Sequence, residues 1–288
     1  MIKKVEIDSS GGFCGGVIRA ISSAEDFLAS HPGRTLYSLG PVVHNESELE
    51  RLSSLGLEPV SAAELEQMGG EGRTVIIRAH GEAPSTSANL RRLGFEIIDC
   101  TCPVVLGIQR KIAAAPGDVI IYGKKGHPEV IGLVGNARGR VWVVENADQA
   151  RELLSLPDGP AGDADVFSQT TMSPVGYEEV CGLLSGGLPG LRIHRTICRQ
   201  VATRHDALAE FARSHDAIVF VTGKASSNGR VLSELCRSVN PRTYVVGGVS
   251  EIDPTWFRPG DSVGVSGATS TPRWLLEKVA DFIYICTI

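Results

Sequence analysis

The strongest constraint on the fold is a repeated alternation of short β-rich segments with longer helical patterns. The β-rich segments at residues 74–78, 118–122, 140–144 and 217–222 carry continuous apolar runs rich in valine and isoleucine. Such runs are typical of strands buried on both faces of a parallel sheet. We predict strands at residues 35–38, 74–78, 118–122, 140–144, 164–168, 217–222 and 261–266. We predict helices at residues 16–30, 46–55, 85–93, 173–184, 200–214, 229–237 and 271–282. This alternation predicts an α/β fold with mainly parallel sheets.

Six turns between predicted strands and helices carry polar side chains next to glycine or proline. In chain order they read LGPVVHNE, RAHGEAP, GKKGHPE, SQTTMS, GKASSNG and SGATSTP. Ligands bind at this edge of open parallel sheets, and the following helix N-termini offer N–H groups to anions. One such turn is typical of helix capping, but six of them, three with histidine, favour a shared polar site. None matches a P-loop or a Rossmann glycine fingerprint, so a nucleotide ligand is not favoured.

Composition excludes several classes of protein. The 288 residues are 42% hydrophobic, with a mean hydropathy of +0.05, as in an ordinary folded protein. A net charge of −5 gives no electrostatic reason to expect nucleic acid or an anionic membrane as a partner. The apolar runs fall far below the roughly 18–20 residues of a membrane span, and the charged N-terminus is unlike a signal peptide. We expect a cytoplasmic protein with reduced thiols.

Three of the seven cysteines share a setting at the start of a helical pattern. Cys14 lies in GGFCGGV, Cys102 in DCTCPVV and Cys198 in RTICRQV, and they divide the chain into near-equal thirds. We therefore predict three similar α/β domains, each with one such cysteine. Their predicted bounds are residues 14–99, 100–196 and 197–280, with 1–13 and 281–288 as terminal extensions.

Three thiolates from separate domains suit a soft metal or an iron–sulfur cluster. The sequence has no CxxC pair, so neither a zinc ribbon nor a thioredoxin-type motif is indicated. Spacing alone leaves zinc and iron–sulfur both open. The remaining cysteines are expected to pack as small apolar side chains.

Nine motifs, in order, resemble the family of 4-hydroxy-3-methylbut-2-enyl diphosphate reductases, which are LytB-type iron–sulfur enzymes. They read GFCGGVIRAI, GPVVHNE, RAHG, TCPVV, GHPEVIG, SQTTMS, TIC, SSNGRVL and STPRWL. The resemblance implies a trefoil of three α/β domains around a [4Fe–4S] cluster. It also implies reductive removal of a hydroxyl, giving isopentenyl and dimethylallyl diphosphates in the last step of the non-mevalonate pathway. A ferredoxin- or flavodoxin-type protein would supply the electrons.

The resemblance also implies roles for individual residues. The cluster ligands would be Cys14, Cys102 and Cys198, with substrate oxygen on the open fourth iron. Glu129 and Thr170 would relay protons, with Thr171 as a neighbour and His127 as a third catalytic residue. The substrate-binding residues would be His44, His80, His127, Thr170, Ser226, Ser227, Asn228 and Ser270.

The chain departs from the family pattern at three places. Val201 and Ala202 replace a polar Thr-Gln pair close to Cys198, Glu82 follows RAHG where a small apolar residue is usual, and Ala225 precedes the serine pair.

The sequence is also compatible with three alternative functions. One is a paralogue that reduces a related allylic diphosphate. Another is a zinc hydrolase using the three cysteines with His127 and Glu129, and the third is a non-catalytic sensor of oxygen or diphosphates.

Overall fold

The computed structural model describes residues 1–160 and 162–286, and over these residues it contains twelve strands and eleven α-helices. The strands are β1 (Lys4–Ile7), β2 (Leu36–Leu39), β3 (Leu57–Val60), β4 (Thr74–Ile77), β5 (Glu96–Asp99), β6 (Asp118–Tyr122), β7 (Val141–Val144), β8 (Asp163–Ser168), β9 (Gly190–Ile193), β10 (Ala217–Val221), β11 (Thr243–Val246) and β12 (Ser262–Gly267). The α-helices are α1 (Gly15–Ser30), α2 (Glu46–Ser54), α3 (Ala62–Met68), α4 (Pro84–Arg92), α5 (Pro103–Ala114), α6 (Pro128–Val134), α7 (Ala147–Ser155), α8 (Pro174–Gly187), α9 (Arg199–Arg213), α10 (Ser227–Val239) and α11 (Arg273–Cys286).

The strands form three four-stranded sheets. Sheet A has the order β1-β12-β10-β11, sheet B β3-β2-β4-β5 and sheet C β7-β6-β8-β9. The pairing is parallel; in sheet A, for example, Val219 lies opposite Tyr244 on one side and Val265 on the other. The predicted α/β fold with parallel sheets is confirmed.

All three sheets have the same internal order. In sheets B and C the first strand in sequence is an inner strand, the second lies outside it, the third lies on its other side, and the fourth completes that edge. In sheet A the first three places are taken by β10, β11 and β12, and the fourth by β1, although β1 comes first in the chain. Sheets B and C take their strands in simple sequence, β2 to β5 and β6 to β9. Sheet A takes β10 to β12 from the C-terminal third and its fourth strand, β1, from the N-terminus. The structure therefore places residues 4–7, predicted as part of a terminal extension, in a sheet.

Five strands are absent from the sequence prediction: β1, β3, β5, β9 and β11. All five are edge strands. An edge strand has a neighbouring strand on one side only, and its residues are less completely buried. In β1 exposed and half-buried positions alternate, whereas every residue of the inner strand β10 is buried. The predicted helices also do not include α3, α5, α6 and α7, although the start of α5 after Cys102 was indicated.

The chain forms two compact units. Unit 1 comprises Met1–Arg34, Pro41–Glu58 and the described part of Ala202–Ile288, and unit 2 comprises Thr35–Gly40 and Pro59–Val201. In unit 1, apolar clusters that include Val265 and Phe220 pack with α11 and α10. In unit 2, clusters around sheet C include Ile120 and Ile121. Within the described residues, no helix combines the length and apolar character needed to cross a bilayer. The three-domain boundaries stay a prediction.

Candidate functional site

Every predicted site residue follows the carboxyl end of a strand. In sheet A the segments after β1, β10 and β12 lead to Cys14, to Ser226–Asn228 and to Ser270. In sheet B the segments after β2, β4 and β5 lead to His44, His80 and Cys102. In sheet C those after β6, β8 and β9 lead to His127 with Glu129, to Thr170 and to Cys198. Each sheet thus contributes one cysteine after its fourth strand and polar groups after its two inner strands.

Glu129 and Thr170 form a buried polar contact in unit 2. The Thr170 backbone N–H donates to Oε1 of Glu129 at 2.7 Å, and the Thr170 hydroxyl donates to Oε2 at 2.7 Å. Glu129 is 1% exposed. Burial raises the pKa of its carboxyl to about 7, although both hydrogen bonds from Thr170 act in the opposite direction. This carboxyl can hold or release a proton near neutral pH.

His127 begins the helix that carries Glu129. It is the N-cap residue of α6, and its Nδ1 accepts a hydrogen bond from the Glu129 backbone N–H at 3.2 Å. An Nδ1 that accepts a hydrogen bond is unprotonated, so the neutral ring carries its proton on Nε2. Pro128 occupies the first helical turn, where its missing N–H costs nothing. The ring of His80 lies against the ring of His127 edge to face, with centroids 5.3 Å apart.

Two residues that sequence reasoning missed hold these loops together in unit 2. The Gln169 side chain accepts from the Lys124 backbone N–H at 3.0 Å and donates to the Thr171 hydroxyl at 2.9 Å. The Thr196 hydroxyl accepts from the Ser168 backbone N–H and donates to the Ser168 carbonyl. Both side chains are buried. Both residues lie in motifs that the sequence analysis quoted: Gln169 in SQTTMS and Thr196 in TIC, where only Cys198 was singled out.

The polar residues at the start of α10 form a compact group in unit 1. Ser226 is the N-cap residue and accepts from the Gly229 N–H at 3.0 Å, while the Ser270 hydroxyl donates to the Ser226 hydroxyl at 3.1 Å. Asn228 accepts from the Thr269 N–H at 2.9 Å. Ser227 opens the helix and is half-buried. Within the described residues the buried Nδ2 of Asn228 has no hydrogen-bond partner, so this group offers a donor to a ligand.

His44 also belongs to unit 1, where its backbone lies directly against Gly223. A Cβ at Gly223 would lie 2.9 Å from the carbonyl carbon of His44. Glycine is therefore required for this approach. The neighbouring Asn45 caps α2 by accepting the Glu48 N–H at 3.0 Å.

The three predicted ligand cysteines occupy equivalent backbone positions. Cys14 and Cys102 are the N-cap residues of α1 and α5, and Cys198 immediately precedes α9. Their backbone N–H groups donate to the carbonyls of Thr269, Ala79 and Thr170 at 3.3, 3.0 and 3.0 Å. All three thiols are half-buried. A helix N-terminus favours negative charge, so these positions suit thiolates that bind a soft metal or cluster.

The other cysteines lie in different settings. Cys100, Cys181 and Cys236 are buried, and Cys286 is exposed near the end of α11. Burial raises the pKa of the Cys236 thiol to about 12 and raises that of Cys181. The three buried thiols pack as small apolar groups, as predicted, whereas the prediction is wrong for Cys286, which is exposed.

Arg204 is a further residue that the sequence analysis did not single out. Its guanidinium is buried in unit 1 and donates to the carbonyl of Gly12 at 3.3 Å and to that of Gly267. Gly12 precedes Cys14 by two residues, and Gly267 ends β12. Arg204 therefore fixes the loop that presents Cys14 against the loop that leads to Ser270.

The chain is similar to known proteins over nearly its whole length. The profile of a family described as LytB protein matches residues 5–284. The chain is 44% identical to a 4-hydroxy-3-methylbut-2-enyl diphosphate reductase of Bacteroides thetaiotaomicron, with 98% of each chain covered. It is 40% identical to the protein of that name from Chlorobium limicola, with 97% of each covered.

Two solved structures are also similar. One is described as (E)-4-hydroxy-3-methyl-but-2-enyl diphosphate reductase, the terminal enzyme of the non-mevalonate pathway. It matches with a TM-score of 0.72 at 34% identity, covering 99% of this chain and 100% of the other. The second, an E-1-hydroxy-2-methyl-but-2-enyl-4-diphosphate reductase from Plasmodium falciparum, has a TM-score of 0.86 at 24% identity, covering 99% of this chain and 91% of the other. At that identity it supports the fold alone.

Proposed function

Since this chain belongs to the LytB protein family, we propose that it reductively removes the hydroxyl group of 4-hydroxy-3-methylbut-2-enyl diphosphate. The allylic C–O bond breaks, two electrons and two protons are taken up, and water leaves. The products are isopentenyl and dimethylallyl diphosphates. The observation that carries this proposal is the buried Glu129–Thr170 pair, because the reaction needs a proton donor next to a leaving hydroxyl.

The proton relay is assigned to Glu129, Thr170 and His127. With a pKa raised to about 7 by burial, Glu129 is protonated in a large fraction of molecules near neutral pH. A general acid is most effective when its pKa is close to the working pH. The Thr170 hydroxyl, 2.7 Å from Oε2, orients that carboxyl and can pass a proton along the hydrogen bond. His127 carries a proton on Nε2 in its neutral form and supplies a second donor.

Diphosphate binding is assigned to His44, His80, His127, Thr170, Ser226, Ser227, Asn228 and Ser270. Imidazole N–H groups, hydroxyls and the N-terminus of α10 are suitable donors for an anion. Among the residues that the structure describes, the Asn228 Nδ2 has no hydrogen-bond partner. This supports the assignment, because a buried amide donor is costly unless a ligand accepts from it.

We assign Cys14, Cys102 and Cys198 as the ligands of a [4Fe–4S] cluster. Three half-buried thiols at helix N-termini fit a group that binds thiolates and keeps one position open. When bound, the cluster supplies electrons and a Lewis-acidic iron for the hydroxyl oxygen. We further propose a cytoplasmic location, where thiols stay reduced, and a ferredoxin- or flavodoxin-type electron donor.

The test is anaerobic turnover. Cluster-loaded protein with a reduced artificial donor should convert 4-hydroxy-3-methylbut-2-enyl diphosphate into the two isoprenoid diphosphates. A cluster-loaded protein that forms no product would overturn the proposed substrate.

Metal analysis tests the ligand assignment separately. The protein purified without oxygen should contain iron and sulfide. Cys14→Ser should lower both, while Cys286→Ser, which alters an exposed thiol, should retain them. Zinc without iron or sulfide in the wild-type protein would favour the hydrolase alternative and reject the cluster.

A further inference from the structure

The turn that carries His80 is tightly built. It follows β4, and Gly81 within it has φ +71° and donates its N–H to the Arg78 carbonyl at 3.0 Å. A Cβ at Gly81 would lie 2.8 Å from the Cγ2 of Thr101 and 2.7 Å from the Nε2 of Gln109. The turn therefore has neither the space nor the backbone freedom for a side chain at this position.

A buried ion pair spans this turn. Arg78 precedes it and Glu82 ends it, and the Arg78 guanidinium lies 3.5 Å from the Glu82 carboxylate. The two side chains are only 10% and 9% exposed. Gln109 of α5 adds a donor to the Glu82 carbonyl at 3.4 Å. Burial raises the pKa of Glu82, and the charge of Arg78 opposes that change.

The same turn supports two of the proposed functional residues in unit 2. His80 lies between Arg78 and Glu82 in sequence, and its ring packs edge to face on His127. The carbonyl of Ala79 accepts the backbone N–H of Cys102 at 3.0 Å. A shift of the turn would therefore displace His80, which is proposed to bind diphosphate. It would also break the backbone hydrogen bond that holds Cys102, a proposed ligand of the cluster.

We propose that Glu82 and Arg78 are positioning residues whose buried ion pair holds the His80 turn in the conformation that binds diphosphate. The inference rests on the proposed role of His80. Its physical basis is that removing one member of a buried ion pair leaves an uncompensated charge, which the local structure relieves by rearranging.

The test compares Glu82→Gln with two other variants. Glu82→Asp keeps the charge, and Asp118→Asn, the matched control, removes a carboxylate from the Arg140–Asp118 pair at the start of β6. Calorimetric titration of the cluster-loaded protein with inorganic diphosphate should give a Kd raised about tenfold or more in Glu82→Gln. It should be partly restored in Glu82→Asp and unchanged in Asp118→Asn. In turnover, KM should rise more than kcat falls.

A second readout does not depend on diphosphate. Diethyl pyrocarbonate labels histidine, and mass spectrometry should show faster labelling of His80 in Glu82→Gln than in the wild type, with His31 as the internal reference. Unchanged labelling and unchanged diphosphate affinity, together with a lowered unfolding temperature, would reduce the pair to a structural role and overturn the inference. If the wild-type protein binds no diphosphate, the proposed function fails, and the His80 labelling still decides whether the pair positions the turn.

Discussion

Both oxygens of the Glu129 carboxyl accept hydrogen bonds from one residue, Thr170, whose backbone N–H and hydroxyl each lie 2.7 Å away. Glu129 lies in the first turn of α6, after strand β6, and Thr170 follows the neighbouring strand β8. The contact therefore joins two loops at the carboxyl end of sheet C. It orients the acid and limits the rise in its pKa that burial causes.

Replacing Glu129 by glutamine should slow reduction about 10²–10⁴-fold, because the proton donor is lost while the shape of the side chain is kept. The iron content, the cluster absorbance and the affinity for inorganic diphosphate should stay at wild-type levels. Glu152→Gln, which alters an exposed carboxylate on α7, is the matched control. Near-normal turnover in Glu129→Gln would remove Glu129 from the relay.

The stability of the protein should fall between pH 5 and pH 8 because of Glu129. Its pKa is about 7 in the folded state against an ordinary value of 4.5, so the folded state binds more protons in this range. The favourable contribution is complete below pH 4.5 and is lost as pH rises through about 7. In urea unfolding, the free energy of unfolding of the wild type should fall by about 3 kcal/mol more than that of Glu129→Gln between pH 5 and pH 8. Parallel curves for the two proteins would contradict the raised pKa.

Thr170→Val should move the pH dependence of kcat to higher pH. The hydrogen bond from the Thr170 hydroxyl lowers the pKa of Glu129, whereas burial raises it. Removing the hydroxyl therefore raises that pKa further. The Thr170 backbone N–H still donates to Oε1, so the carboxyl keeps one partner. Thr170→Ser retains the hydroxyl and serves as the control. An alkaline limb at the same pH in Thr170→Val and the wild type would show that this hydroxyl does not act on Glu129.

Gly229→Ala should destabilise the protein by about 2 kcal/mol, because the new methyl group would overlap the Thr222 hydroxyl and lie 2.8 Å from the Thr222 Cβ. The third residue of α10 thus has to be glycine for the helix to approach the end of β10. Gly182 of α8 has nothing within 4 Å of the corresponding position. Gly182→Ala should therefore stabilise by about 0.5–1 kcal/mol. Denaturant unfolding of both variants tests the contrast, and equal effects would show that the packing at Gly229 is looser than described.

The central strands could be predicted because their residues are buried on both faces. Strands β10 and β12 are buried at every position, and β10 (AIVFV) is apolar throughout, which leaves a continuous signal in the sequence. The polar turns after them were equally readable, since serine, threonine, asparagine and histidine interrupt apolar runs next to glycine or proline. The sequence therefore predicted the fold class and the residues of the candidate site.

The five missed strands could not be predicted in the same way. An edge strand such as β9 has half-buried and exposed positions, and its four residues carry no apolar run. It becomes a strand because it pairs with β8, and this pairing is set by the tertiary structure and not by the four residues themselves. The same holds for β1, whose partner β12 lies at the other end of the chain.

The sequence by itself determined which residues are candidates for the chemistry, because thiol, imidazole and hydroxyl groups at strand-to-helix turns are local features. Only the tertiary structure decided that each of the three cysteines follows the fourth strand of a sheet, since that strand is defined by long-range pairing. The tertiary structure also decided the pKa of Glu129, because burial by neighbouring segments raises the pKa of this carboxyl to about 7. Local chemistry is fixed by residue type, whereas pairing and desolvation depend on which segments the folded chain brings together.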